Sequence, residues 1–361
     1  MSHEFRALLR KVGSGPHTSQ NLTRSEANDA MCMMLHQDAT PAQIGAFLIS
    51  HRIKRPTGEE LAGMADAYDS LGPQLSRLPS TSRNPWVFCY AYDGRSRTAP
   101  LGPLTALVLS AADIPVIQHG GDRVPTKEGL PLIELWQSLG VNWPGLSLVQ
   151  VGKILEAVGL GFVYLPDHFP LAQALMPYRD QIGKRPPLST LELMWSPYSG
   201  PQTIVCGYVH PPTEGMFRSA FELRGTTSFL TVKGLEGSCD LACDRTAIVG
   251  ASENGEFERL SLAPRDYGFA DRDVPLMETN DWAVAASLAL QGEPSVLLEP
   301  LVWNTGFYLW RSQFSPSSSS PSSSIHSTLE DSFVKARSIL SNGMAWGKLE
   351  ALRNAIGRLS N

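Results

Sequence analysis

Apolar positions over the first seventy or so residues recur at helical spacing. Phe5, Leu8, Leu9 and Val12 share one stripe, and Met31, Met34 and Leu35 share a second. Thr23 with Glu26 three residues on, and Thr57 with Glu60, have the capping-box spacing that opens a helix; Thr40-Pro41 starts another through Ile44, Phe47, Leu48 and His51. The fourth runs from Thr57 to about Leu71 on Leu61, Met64, Ala65 and Tyr68. Four short helices in succession predict a small all-α domain over residues 1–72, with Met31, Met33 and Met34 in its core or on a helix-facing surface.

Residues 73–85, rich in Pro, Ser and Thr, lose all periodicity and read as a linker. Beyond them short apolar runs alternate with helical patterns, which predicts a doubly wound α/β domain over 86–361. Strands are expected at Trp86–Tyr90, Ile114–Gln118, Gly161–Leu165, Thr203–Cys206 and Ser228–Val232, with a two-stranded excursion at Arg245–Val249 and Glu256–Leu262. Helices are expected at Leu101–Ala112, Pro131–Leu139, Leu148–Val158, Phe169–Asp180, Leu188–Trp195, Thr213–Leu223, and at 282–291, 295–312, 328–340 and 344–358. The Ser/Pro tract at 315–324 has almost nothing to bury and reads as a surface insertion.

The first strand, helix and second strand form a βαβ unit, so both turns fall at the carboxyl ends of neighbouring parallel strands, where open sheets bind ligands. Those turns carry Arg95, Arg97, Arg123 and Lys127 among Gly94, Gly120, Gly121 and Gly129. Guanidinium groups grip oxyanions in pairs and glycine lets backbone N–H groups come close, so the pattern suits a phosphate site; polar, glycine-rich turns are also ordinary surface.

Charge narrows the partners. At −5 over 361 residues the chain is not a globally basic nucleic-acid binder, so any polyanion site is a local patch. No apolar run reaches the roughly 18 residues of a membrane span, and the start lacks a leader pattern, which predicts a cytoplasmic protein. The odd number of cysteines, five, fits reduced thiols, and Cys239 with Cys243 lacks the second pair a structural zinc needs.

Ile44–Arg52, Asp93-Gly94, Pro115–Gly120 with His119, Arg123–Gly140 with Lys127, Tyr164–Pro166, Tyr178–Gly183, His210-Pro211 and Lys233–Asp240 follow one another in a specific order and spacing. In these segments the chain resembles the anthranilate phosphoribosyltransferase family, glycosyltransferase family 3. The resemblance implies a helical domain joined to an α/β domain with the cleft between them, and a homodimer formed through helices. It also implies phosphoribosyl diphosphate held with magnesium beside the Asp93-Gly94 turn, and an aromatic acceptor near Arg179.

Three motifs depart from that family. Its glycine-rich first turn is replaced by Tyr90-Ala-Tyr92, its Asn-Ile-Ser-Thr run by Ala99–Gly102, and its magnesium-holding Asp-Glu pair by Asp240-Leu241, with Glu236 the nearest substitute carboxylate. The replacements resemble the YbiB-like branch, whose implied role is DNA binding. On that reading Asp93, Gly94, Arg95, Arg97, His119, Gly120, Arg123 and Lys127 contact phosphate, and Tyr92, Arg179, Lys184 and Arg185 extend a groove for single-stranded nucleic acid or another phosphate-rich ligand. A working pentosyltransferase with Asp93, Asp240 and Lys127 in the site, and a dimeric scaffold without a small ligand, are the alternatives.

Overall fold

The computed structural model describes residues 3–15, 17–79, 82–269, 272–314 and 328–359; the Ser/Pro tract lies outside them. The first four helices are His3–Gly13, Arg24–Leu35, Pro41–Lys54 and Gly58–Leu71. Thr23, Thr40 and Thr57 each cap a helix with a complete box, so the local signals fix three starts, and Thr40 finds its partner in Gln43. Phe5, Met31, Met34, Ile44, Phe47, Leu61 and Met64 are all buried where these helices meet.

The larger domain is built on seven strands: β1 (Trp86–Cys89), β2 (Val116–Gly120), β3 (Leu160–Tyr164), β4 (Thr203–Gly207), β5 (Phe229–Val232), β6 (Ala247–Glu253) and β7 (Glu256–Leu262). Their spatial order is β3-β2-β1-β4-β5-β6-β7, parallel from β3 to β5 and antiparallel beyond. The order reverses between β1 and β4, and a crevice opens there at the carboxyl ends. Every residue of the helix Gly102–Ala111 is buried, because Leu298–Arg311 and Met344–Leu359 cover the side turned away from the sheet. That explains its all-round apolar sequence.

The predicted helix over 169–180 is three short ones, Leu165–His168, Pro170–Gln173 and Met176–Ile182. Pro170 pushes Phe169 out of helical geometry, to φ −136°. Likewise the expected helix 188–195 keeps regular form only over Leu188–Leu191. These pieces carry the chain back onto the helical bundle: Met176–Ile182 packs on Pro41–Lys54, and the Tyr68 ring lies 5.0 Å from Phe169 and 5.5 Å from Trp195. Both domains therefore wall the crevice.

Among the described residues no helix is long and apolar enough to cross a membrane. All five cysteines are free.

Candidate functional site at the carboxyl ends of the parallel strands

Because β1 and β2 are adjacent and parallel, with Trp86 opposite Val116, the turns that follow them meet. They are bonded through their backbones: Arg95 N–H donates to Leu130 O at 3.0 Å, Leu130 N–H to Arg95 O at 2.7 Å, and Gly129 N–H to Asp93 O at 3.1 Å. Gly94 sits at φ +70°, and a Cβ there would lie 2.5 Å from the Gly129 carbonyl group, so glycine is required. The Lys127 ammonium donates to Gly94 O at 2.5 Å. The two turns expected to converge do so.

A third loop joins them. Residues 234–240, after β5, pass over the end of β4, where a Cβ on Gly207 would stand 2.2 Å from Gly237 O. This loop delivers two carboxylates to the cations. Asp240 Oδ2 accepts from Arg95 Nη1 at 2.7 Å and from Leu101 N–H at 3.1 Å, while Tyr90 donates to Oδ1 at 3.2 Å. Glu236 accepts from the N–H groups of Ser96, Arg97 and Thr98 at 3.0–3.1 Å, from the hydroxyls of Ser96 and Thr98 at 3.0 Å, from Arg95 Nε at 3.3 Å, and pairs with Lys127 at 2.9 Å. Burial alone would raise its pKa; the Lys127 ammonium and the backbone donors outweigh that and hold the carboxyl well below the usual range. Burial in turn lowers the Lys127 pKa, only partly opposed by Glu236.

The other candidates separate by exposure. Arg97 is 78% exposed, 3.9 Å from Glu236. Arg123 is clamped by Glu134 through two bonds of 2.7 Å and donates to Glu128 O. Arg179, the expected acceptor-side cation, is 2% exposed and locked against buried Glu192. Arg185 reaches Asp93 at 2.6 Å, and Lys184 is exposed.

Tyr92 is 5% exposed, so it is not an open stacking platform; its hydroxyl meets His119 Nδ1 at 2.5 Å. His119 is fully buried, and its Nε2 has no hydrogen-bond partner among the described residues. Gly120 ends β2 and is buried. Tyr90 is buried beside Phe88 with the rings nearly parallel. Both tyrosines thus fill the strand end from within.

Two cavities flank this cluster. One, of 690 Å³, lies between the domains and is lined by Arg52, Arg55, Tyr92, Asp93, Arg185, Val209, His210, Pro211 and Glu236 among others. The second, of 600 Å³, is lined by Tyr92, Asp122, Arg123, Met176 and Asp180. Arg52 and Arg55 escaped the sequence reading. Both are exposed, and with Lys184 their side chains have no ion pair or hydrogen bond among the described residues. The available signal was the basic run at the end of the third helix, Arg52, Lys54 and Arg55, in the segment preceding Thr57.

A magnesium ion requires several free oxygens in octahedral array. Both oxygens of Asp240 are engaged by the protein, Asp240 is 1% exposed, and Glu236 is saturated by its own donors. Among the described residues no group of three His, Cys, Asp or Glu side chains is arranged to hold a metal. In this arrangement Asp240 and Glu236 do not fit the ion, while Asp93 keeps one oxygen, Oδ1, without a hydrogen-bond partner among the described residues.

Residues 6–72 match the model of the glycosyl transferase family helical bundle domain, and 95–346 that of its a/b domain. The chain belongs to glycosyltransferase family 3. Among relatives within this family, the anthranilate phosphoribosyltransferase of Chromobacterium violaceum is 26% identical over 331 residues, 89% of this chain and 90% of that one. The enzyme of the same name from Methylococcus capsulatus is 27% identical over 338 residues, 92% and 93% of the two chains. Solved family structures share the fold. Anthranilate phosphoribosyltransferase from Thermus thermophilus superposes with TM-score 0.77 at 22% identity, over 98% of this chain and 99% of that one. The Saccharomyces cerevisiae protein in complex with PRPP and Mg gives 0.82 at 16% identity, over 99% of each.

Proposed function

We propose that this member of glycosyltransferase family 3 binds a phosphate-rich polyanion, single-stranded nucleic acid, across the cleft between its helical and α/β domains. One observation carries the reading: the cations of the strand-end pocket are neutralised by Asp240, Glu236, Asp93 and Glu192, while Arg52 and Arg55 line the interdomain cavity exposed and, like the exposed Lys184 that precedes Arg185 in the chain, have unpaired side chains among the described residues, with Arg97 also exposed. Exposed cations lose little in giving up water for phosphodiester oxygens, whereas Arg95 would have to leave a buried carboxylate. The 690 Å³ cavity adds apolar surface at Val209 and Pro211 against which a base can rest. Self-association through the helical domain belongs to the same proposal, and light scattering should return twice the chain mass.

Titration of a labelled single-stranded oligonucleotide at two salt concentrations is the test. Binding at low salt that weakens steeply at higher salt, and that is lost in an R52A/R55A/K184A variant, supports the reading. No binding at low salt, or binding indifferent to salt, sinks it.

The family relatives support a second reading, a working phosphoribosyltransferase on anthranilate or a related aromatic acceptor. Relatives so named are similar over about nine-tenths of the chain, and Asp93, Gly94, His119, Gly120 and Lys127 stand together at the strand ends. This activity requires Asp240 to leave Arg95 if it is to hold magnesium. Diphosphate release from phosphoribosyl diphosphate and anthranilate, abolished by Lys127→Ala, would establish it over the first; absence of both turnover and calorimetric binding would remove it.

A further inference from the structure

Three cysteines gather at the carboxyl ends of β1 and β4, and two of them stand side by side. Cys89 closes β1 and pairs in register with Cys206 of β4, both fully buried. Residues in register on parallel neighbours project to the same face of a sheet, and strands ~4.8 Å apart hold their Cα atoms inside the roughly 4.4–6.8 Å range that a disulfide spans. The third thiol, Cys239, donates to the carbonyl oxygens of Cys89 at 3.7 Å and Val205 at 3.4 Å, so it is turned to the backbone. Neither the strand-end ion pairs nor the interdomain cleft uses Cys89 or Cys206.

The surroundings make Cys89 the reactive member. Burial by itself would raise its pKa, but Cys206 and the His119 imidazole outweigh burial and bring the thiol down, whereas burial and Cys89 push Cys206 up. His119 Nε2 has no hydrogen-bond partner among the described residues, which leaves it able to exchange a proton with a neighbour. The route inward is short: Tyr92 lines both cavities and meets His119 Nδ1 at 2.5 Å, and the same imidazole acts on Cys89. Cys32 is the more accessible thiol, yet burial and Asp29 raise its pKa.

We propose that Cys89 and Cys206 are a site of oxidative modification, in which a hydroperoxide converts the Cys89 thiol to a sulfenic acid and Cys206 closes it to a disulfide tying β1 to β4 where the strand order reverses. In the first step the Cys89 sulfur attacks one peroxide oxygen. The S–O bond forms, the O–O bond breaks, and the leaving hydroxide takes the proton that Cys89 gave to His119, departing as water. In the second the Cys206 sulfur attacks the Cys89 sulfur; the S–S bond forms, the S–O bond breaks, and hydroxide leaves with the Cys206 proton. Two thiols lose two electrons and two hydrogen atoms, and one hydrogen peroxide becomes two waters. The bridge comes immediately ahead of the Tyr90–Asp93 turn on one strand and of Tyr208 and Val209 in the cavity wall on the other, so oxidation acts on both sides of the crevice.

Hydrogen peroxide added to the full chain below its unfolding temperature, followed by alkylation in denaturant and peptide mass mapping, tests this. Wild type should lose two of its five alkylatable thiols, give a linked Cys89–Cys206 peptide, and regain both thiols with dithiothreitol, while Cys32 stays reduced. Cys206→Ala should instead accumulate the Cys89 sulfenic acid, trapped by dimedone, and Cys89→Ala should form no bridge. His119→Gln should slow Cys89 oxidation at least tenfold, and the wild-type map decides the pairing even if that variant fails to fold. Five intact thiols in peroxide-treated wild type, a bridge through Cys239, or earlier oxidation of Cys32 overturns the proposal. None of these readouts depends on what the interdomain cleft binds.

Discussion

Arg95 Nη1 lies 2.7 Å from Asp240 Oδ2 with both side chains within 5% of full burial, joining residues 145 positions apart. The guanidinium also donates to Ser238 Oγ at 2.8 Å and to Thr98, so the pair is embedded in a network. This contact turns the candidate anion pocket inward, because an arginine committed to a buried carboxylate is not free for a ligand.

Breaking that pair from one side should be costly. Arg95→Met leaves the Asp240 charge buried beside Tyr90, and a loss of about 3–5 kcal/mol is expected in denaturant unfolding. The double variant Arg95→Met/Asp240→Leu should recover much of it. Equal losses in single and double variants would show that packing, not charge, dominates here.

Gly94 gives a steric prediction. Gly94→Ala demands a side chain at φ +70° within 2.5 Å of the Gly129 carbonyl group, so the two strand-end turns must separate. A loss of roughly 1–3 kcal/mol follows from the strained backbone alone. Thermal unfolding would register it as a fall in Tm of several degrees; an unchanged Tm would mean the turns are held elsewhere.

Acid should loosen the helical domain through Glu60. That carboxylate, buried, accepts from Leu22 N–H at 2.9 Å and pairs with Lys54 at 2.8 Å and His51 at 3.3 Å. Burial raises its pKa, but the His51 and Lys54 contacts prevail and depress it to about 2, against an ordinary 4.5. A depressed carboxylate contributes stability that is complete above the unfolded value and is lost as pH falls from about 4.5 toward 2. Glu60→Gln should therefore flatten the stability profile across that window in circular dichroism, and a profile parallel to wild type would refute the assignment.

For the cleft cations the measurable quantity is a slope. Each phosphate contact on a single strand contributes about 0.7 to the dependence of log K on log salt. Neutralising Arg52, Arg55 and Lys184 together should lower the slope by about 2, whereas Arg123→Ala, which removes a cation already clamped by Glu134, should leave it nearly unchanged. Equal effects of the two variants would place the strand elsewhere.

Much of this molecule can be read along the chain. The capping boxes at Thr23 and Thr57 and the apolar stripes through Phe47 and Met64 are local, so the four helices appear where their sequence puts them. All seven strands lie within a few residues of their expected positions, since an apolar run bounded by turns carries its own period. The meeting of the Asp93 and Lys127 turns follows as well, because a βαβ crossover has one hand and places both turns at one edge.

What the sequence by itself determined, then, is the set of elements, their parallel pairing, and the side of the sheet on which the turns gather, all of which rest on short-range periodicity and chain handedness. Only the tertiary structure decided which charges remain available. Glu236 and Asp240 reach Arg95 and Lys127 by passing over the end of β4, Arg179 meets Glu192 beneath the turns, and Arg52 comes to the cleft from another domain. Ion pairing acts over a few ångströms of space and is blind to separation along the chain, so a count of cations in a turn shows where charge is placed but not whether a neighbouring strand has already cancelled it.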